Sequence, residues 1–173
     1  MPGPSETGTV PLLNSFQPGD RNTLAELLND PTISEFTSIP NPYTLEDADR
    51  WLRFAEQTTR KHGELRQFAI RCEEELAGGF DFRHLQANDK AEIGYWLGSR
   101  FRGRGIMTKV LSAACRYARK RWKLERLEAF VYPHNQASIL VLERSGFRRE
   151  RLLEDFYKRD GQLVDALLFT KTC

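Results

Sequence analysis

The segment Gly98-Ser99-Arg100-Phe101-Arg102-Gly103-Arg104-Gly105 has the composition of an anion cradle. Glycines at 103 and 105 carry no Cβ, so backbone N–H groups can come close to a phosphate. Arginines at 100, 102 and 104 place positive charge around it. The segment lies where a strand gives way to a helix, and the first N–H groups of a helix, which have no intrahelical partner, favour an anion. Thr108, in the first turn, adds a hydroxyl within reach of the same anion. Glycine and arginine are also common loop residues, so a plain loop with solvated arginines remains open on these residues alone.

Two nucleotide motifs fail here. A triphosphate loop needs Gly-x4-Gly-Lys-Ser/Thr; Gly98-x4-Gly103 has the spacing, but Arg104 and Gly105 replace the lysine and the magnesium-binding hydroxyl. A dinucleotide fingerprint needs a third glycine, and position 108 is threonine. Two further places carry candidate chemistry. Glu92 is the one carboxylate of the apolar run 91–97 and is a candidate general base; an exposed strand glutamate is the alternative. Asn135 and Ser138 lie three residues apart at a helix start, a spacing that also suits capping.

The elements that must hold these residues follow from periodicity. A first strand is expected over 10–15 and a helix capped by Asp20 through Leu28, with Leu24, Leu27 and Leu28 on one side. A short helical turn follows over 31–36. Thr44 and Asp47 form a capping-box pattern for a helix that ends at Lys61-His62-Gly63. Three strands follow, over 67–72, 76–83 and 91–97, with Gly78-Gly79 marking a bulge or close backbone approach. A long helix is expected over 105–122, with Met107, Val110, Leu111, Ala114, Ala118 and Trp122 in step at the helical period. Then come a strand over 127–131, a helix from the Asn135 cap to Ser145, and two strands, 147–157 and 162–170, joined at Asp160-Gly161. The strand–helix–strand unit around Gly105 should be a right-handed parallel crossover. The fold class is therefore mixed α/β.

The arrangement Arg100-x-x-Gly103-x-Gly105 resembles the pyrophosphate loop of the GNAT superfamily of acyl-CoA-dependent N-acetyltransferases. The resemblance extends to Ala91-Glu92-Ile93-Gly94-Tyr95-Trp96-Leu97, similar to the fourth strand of ribosomal-protein N-terminal acetyltransferases. It also takes in the helix start at Gly105-Ile106-Met107-Thr108, Asn135-x-x-Ser138 and the exit Leu142-Glu143-Arg144-Ser145-Gly146-Phe147. It covers about the second half of the chain. It implies a mostly antiparallel seven-stranded sheet with helices on both faces and a central β-α-β crossover that binds acyl-CoA. It implies acetyl-CoA as donor, no metal, and direct attack by a neutral amine on the thioester. Backbone groups of Trp96 and Leu97 should bind the pantetheine arm between splayed fourth and fifth strands. The N–H groups of Arg102, Gly103, Arg104, Gly105, Ile106, Met107 and Thr108 should hold the pyrophosphate. Asn135 should touch pantetheine, and Ser138 should give a hydrogen bond to the leaving thiolate. Tyr157 is a weaker candidate for the same cleft.

An α-amine has a pKa of about 7.7–8.0, so roughly a tenth is neutral near pH 7; a lysine amine at about 10.4 is neutral well under ~0.1% of the time. An α-amine therefore needs little help from a base. With the family flavour of Tyr95-Trp96-Leu97, this favours a protein N-terminus, ribosomal or other, as acceptor. A small-molecule amine such as an aminoglycoside or polyamine stays open, as does a non-catalytic CoA-binding module. A polycation would call for an acidic cleft, which Glu46, Asp47, Asp49 and Glu56 could supply.

Other classes are less well supported. The chain has 173 residues, suited to one domain over 9–173 behind a short disordered leader over 1–8. Its start is neither basic nor apolar, unlike a signal peptide, and no apolar run approaches a membrane span. Three cysteines, Cys72, Cys115 and Cys173, favour free thiols in a reducing, cytoplasmic compartment. His62, His84 and His134 lack ligand spacing for zinc. The basic stretch 116–126 reads as a solvated helix face, because the net charge is only +2, and no direct nucleic-acid binding is expected. The oligomeric state has no signature, and a homodimer is open.

Overall fold

The computed structural model of the chain describes residues 10–173; the leader expected over 1–8 lies outside them. The elements in order are β1 (Leu12–Asn14), α1 (Arg21–Leu28), α2 (Pro31–Phe36), α3 (Leu45–His62), β2 (Gln67–Cys72), β3 (Glu75–Gln86), β4 (Lys90–Leu97), α4 (Ile106–Trp122), β5 (Arg126–Val131), α5 (Gln136–Arg144), β6 (Arg148–Arg159) and β7 (Gln162–Thr172). The strands form one seven-stranded sheet ordered β1-β2-β3-β4-β5-β7-β6. Every pairing is antiparallel except β4 with β5, the parallel pair that flanks α4. The expected fold class is the observed one.

Local sequence chemistry explains most boundaries. Thr44 Oγ1 accepts the Asp47 N–H at 3.1 Å, and the Asp47 carboxylate accepts the Thr44 N–H at 2.8 Å, closing the capping box. Gly63, at φ +68°, ends α3 in the left-handed conformation. Asp160 and Gly161, at φ +49° and +80°, make the tight β6–β7 hairpin. Asp20 corrects the expectation that it caps α1. Its backbone is already helical (φ −76°, ψ −9°), whereas a capping residue needs extended backbone. A 3-10 turn, Pro18–Asp20, turns its carboxylate toward β2. There it takes both guanidinium nitrogens of Arg71 at 2.8 and 3.0 Å and the Gln17 N–H at 2.7 Å.

The sheet separates two helical layers. On one face Phe68 and Phe82 pack against Tyr117 of α4 and Phe82 also against Trp122, with Phe80 edge-on to Phe82. On the other face Phe16 packs edge-on against Trp51 of α3 and lies beside the Trp96 indole. The basic stretch 116–126 belongs to this architecture. Arg121 pairs with Glu64 at 2.8 Å, Arg119 donates to the Cys173 carbonyl, and Arg126 pairs with Glu128 at 2.6 Å. No helix among the described residues is long and apolar enough to cross a membrane.

Two features of the sheet matter for the site. β3 carries an extra residue, Ala77, opposite the Ile70–Arg71 step, and Gly78 and Gly79 follow it. A Cβ on Gly78 would lie 2.4 Å from the Trp96 carbonyl oxygen, and one on Gly79 would lie 2.4 Å from the Trp96 indole nitrogen. The glycines let β3 lie close under the end of β4. The second feature is that β4 and β5 pair only at Lys90–Arg126, Ala91–Leu127 and Glu92–Glu128. Past Glu92 and Glu128 the strands part.

Gly78→Ala is expected to destabilise the protein by about 2–3 kcal/mol, because its clash is with backbone that cannot rotate away. Thermal melting by circular dichroism checks this.

Candidate active site

The gap between β4 and β5 is the centre of the site. At its closed end Glu128, buried, accepts Lys90 at 3.2 Å and Arg126 at 2.6 Å, which ties the two strands together. Beyond that point the edge of β4 from Gly94 to Leu97 has no β5 partner, while its other edge stays in the β3 ladder. Backbone N–H and C=O groups on an open strand edge call for partners.

The glycine loop lies at the open end. Gly103 and Gly105 have φ of +70° and +67°, and a Cβ at either would meet nothing within 4 Å. Both positions thus favour glycine for backbone conformation, in addition to the close approach read from the sequence. Gly105 is the N-cap of α4 and offers no capping side chain. Lys109 is the first residue to donate to the Gly105 carbonyl, at 3.2 Å. The N–H groups of Ile106, Met107 and Thr108 are the unpaired donors of the first turn. The side chains of Ile106 and Met107 are buried, which fixes the direction of those donors.

The arginines depart from the expectation that all three surround the anion. Arg100 pairs with Glu75 and lies over the Phe101 ring, its guanidinium carbon 4.8 Å from the centroid. Arg102 turns back: Nε donates to the Leu97 carbonyl at 2.9 Å, and the other nitrogens donate to Thr32 Oγ1 at 2.7 Å and Asp30 at 2.9 Å. Three fixed acceptors, one of them charged, win over a solvated position. Burial acts against ionisation of Asp30, but the Thr32 hydrogen bonds and the Arg102 charge outweigh it and hold the carboxyl below its usual range. Arg104 is exposed. The anion-binding capacity of this loop therefore rests on backbone donors more than on Arg100 and Arg102. A hollow of about 410 Å³ beside the loop is lined by Leu27, Asp30, Ser99 and Arg100, among others.

Asn135 and Ser138 lie across the gap from β4. Asn135 Oδ1 accepts the Ser138 N–H at 3.1 Å and so caps α5. The Ser138 hydroxyl lies 2.6 Å from the Tyr95 hydroxyl of β4. Burial pushes the Tyr95 phenol up to about 12, with the Ser138 hydrogen bond opposing. Sequence reasoning missed this contact. Its signal was a tyrosine in register with Phe80 on an apolar sheet face, where a buried phenol needs a partner.

On the opposite face of β4, Glu92 Oε2 lies 3.0 Å from His84 Nδ1, and Oε1 lies 3.9 Å from Arg83. Asp81 and Arg83 pair through two nitrogens directly over Gly94, where a Cβ would come within 2.4 Å of the guanidinium. Burial, helped by the Glu92 charge, raises the Asp81 carboxyl above its ordinary range against the pull of Arg83. Tyr157 faces this group from β6. Burial first, then the charges of Glu92 and Tyr132, push its phenol up to about 12. An aromatic run continues from it: Phe156 stacks on Phe130 with centroids 4.8 Å apart, and Tyr132 meets Tyr157 at 5.7 Å. Arg159 lies over Tyr132 and donates to the Ser34 and Glu35 carbonyls at the end of α2. Sequence reasoning missed this run because its members come from two separate segments, 130–132 and 156–157.

The carboxylates of α3 do not form an open acidic cleft. Asp49 pairs with Arg21 at 2.7 Å, Glu46 and Asp47 pair with Arg50, and Glu56 pairs with Arg60 at 2.7 Å. Among the described residues no group of three His, Cys, Asp or Glu side chains is arranged to hold a metal ion.

Comparison with known proteins agrees with this geometry. The acetyltransferase (GNAT) domain family matches residues 12–148. The chain is 30% identical over 161 residues to an uncharacterized N-acetyltransferase, p20, of Bacillus licheniformis, covering 91% of this chain and 90% of that protein. It is 31% identical over 139 residues to the ribosomal-protein-serine acetyltransferase of Escherichia coli strain K12, covering 73% of this chain and 75% of that one. RimJ of Mycobacterium smegmatis, solved in complex with CoA-disulfide, superposes with a TM-score of 0.82 at 25% identity, over 95% of this chain and 83% of that one.

Alanine at Gly103 or Gly105 meets no obstacle but must adopt left-handed backbone. Each is expected to cost about 1–2 kcal/mol, read as a melting temperature a few degrees lower.

Proposed function

The chain belongs to the GNAT acetyltransferase family, and on that premise we propose that it acetylates the α-amine at the N-terminus of a protein, ribosomal or other. As a member of the family it is an enzyme that uses acetyl-CoA as acyl donor. The observation that carries the cofactor reading is the parting of β4 from β5 directly beside a glycine loop whose helix start has no side-chain cap. In this reading the pantetheine arm lies along the open edge of β4, on backbone groups of Leu97; those of Trp96, expected beside them, turn toward β3, where the Trp96 carbonyl lies against Gly78. The N–H groups from Gly103 to Thr108 hold the pyrophosphate; that of Arg102, expected among them, donates to the Ser99 carbonyl at 3.2 Å instead. The Leu97 carbonyl already accepts Arg102, but it has a second lone pair to offer. Asn135 caps α5 through its Oδ1, and in this reading its amide N–H groups donate to the arm.

The chemistry is one displacement. The neutral amine nitrogen attacks the thioester carbon, a C–N bond forms, and the C–S bond breaks. The proton lost by nitrogen passes to Glu92, directly or through a water, and the departing thiolate takes up a proton to leave as CoA thiol. Ser138 donates a hydrogen bond to the sulfur as its charge develops. No acyl-enzyme forms.

The acceptor assignment draws support from two sources. The ribosomal-protein-serine acetyltransferase is a relative of this chain over most of its length. An α-amine is neutral often enough near pH 7 to react with little assistance. The paired carboxylates of α3 argue against a polycation such as an aminoglycoside or polyamine. A ribosomal acceptor goes with a cytoplasmic location.

A panel of N-terminal peptides and polyamines, assayed for CoA release, is expected to give turnover with peptides and little with polyamines. The reverse ranking would overturn the acceptor assignment. Ser138→Ala is expected to lower kcat about 10- to 100-fold with acetyl-CoA affinity within twofold; an unchanged kcat would remove Ser138 from the mechanism. Gly105→Glu is expected to abolish acetyl-CoA binding in calorimetry, through bulk and like charge.

A further inference from the structure

The Ser138 hydroxyl does not stand alone in the cleft. Its side-chain partner is the Tyr95 hydroxyl, 2.6 Å away, and the contact joins α5 to β4 where β4 has parted from β5. Packing alone does not require a polar atom there. Tyr95 is in register with Phe80 and shares its sheet face with Phe82 and Ile93, so phenylalanine would fill the same volume without burying a hydroxyl. A lone serine on an exposed helix turn would rotate among its staggered positions; this one has a fixed neighbour.

Two hydroxyls that share one hydrogen bond still have one proton to place elsewhere. A phenol is a much stronger acid than an aliphatic alcohol and the better donor of the two. Burial keeps Tyr95 protonated. Tyr95 therefore donates to Ser138 Oγ, and the serine hydrogen is left for another acceptor. A bonded chain of hydroxyls also strengthens its last donor by polarisation.

We propose that Tyr95 is a positioning residue: it fixes the Ser138 hydroxyl so that the serine hydrogen faces the sulfur of bound CoA. This rests on the reading of Ser138 given above and adds a residue whose own side chain touches neither substrate. No proton leaves Tyr95 in the reaction. It orients the serine and stabilises the sulfur's negative charge through it; the amine's proton goes to Glu92, and the proton that ends on the thiol is drawn from solvent.

The test reads the sulfur directly and needs no acceptor. CoA is added at saturation, as calorimetry on each variant establishes, and the thiolate of the bound cofactor is followed by ultraviolet absorbance against pH. A free thiol titrates near about 8.5. Bound to the native protein it is expected to titrate about one unit lower, the equivalent of about one hydrogen bond to the charged form. Ser138→Ala should return it to the free value, Tyr95→Phe should lose about half of the shift, and the double variant should match Ser138→Ala. Tyr95→Phe should also lower kcat about fivefold with acetyl-CoA KM unchanged.

Each other result is decisive. Tyr95→Phe titrating like the native protein while Ser138→Ala does not would remove Tyr95 and leave Ser138 standing. Ser138→Ala titrating like the native protein would overturn the serine reading itself, and this inference with it. A double variant shifted beyond Ser138→Ala would mean that Tyr95 acts independently of the serine. Tyr95→Phe keeps the ring beside Phe80, and Tyr95→Leu provides a second variant should the first fail to bind CoA.

Discussion

Buried Glu128 takes Lys90 from β4 and Arg126 from its own strand, and this clamp marks where two parallel strands stop pairing. A carboxylate so enclosed is tolerable only with its charges matched. Apart from Glu92, which is level with the clamp, everything proposed for the active site lies beyond it. The open edge of β4, the glycine loop at its end and the start of α5 across from it all depend on the strands being held at one end and parted at the other. The alternation of β4 then divides the labour. Tyr95 faces the α4 layer and Ser138, while Glu92, Gly94 and Trp96 face the α1–α3 layer.

A second set of contacts links the two sides of the site through a small helix. α2 is six residues long, too short to be stable alone. Its N-terminal end is tied by Asp30 and Thr32 to Arg102 of the glycine loop. Its C-terminal carbonyls are tied to Arg159 of the β6–β7 hairpin, and Phe36 packs against His134. The helix is a strut between the loop assigned to the pyrophosphate and the hairpin beside the aromatic run. Arg102, read from the sequence as a charge for the anion, is a tether in the folded chain.

The sequence was most legible where chemistry is local. The α3 capping box, the Asp160-Gly161 turn, the stop at Gly63 and the strand–helix–strand crossover all follow from neighbouring residues, and the structure has them where they were expected. Asp20 failed because a cap is defined by backbone conformation as well as by residue type, and a proline-led 3-10 turn changed the conformation. The partners of the loop arginines were illegible for another reason. Arg102 and Asp30 lie 72 positions apart, and nothing in the spacing of either announces the other. The same holds for Tyr95 and Ser138, 43 positions apart. Long-range side-chain pairs settle which way a charge or a hydroxyl turns, and that is the part of a site a single sequence conceals.

The parted strands also bear on the unloaded protein. An open strand edge invites pairing with whatever extended chain arrives, and here that edge lies inside the sheet rather than at its margin. A pantetheine arm, with amide groups of its own, would act as a removable strand. In that reading the sheet is complete only in the loaded state. Because such a ligand binds the folded chain and not the unfolded one, the protein's resistance to unfolding would rise and fall with the supply of acetyl-CoA, and its lifetime would carry a record of the metabolic state around it.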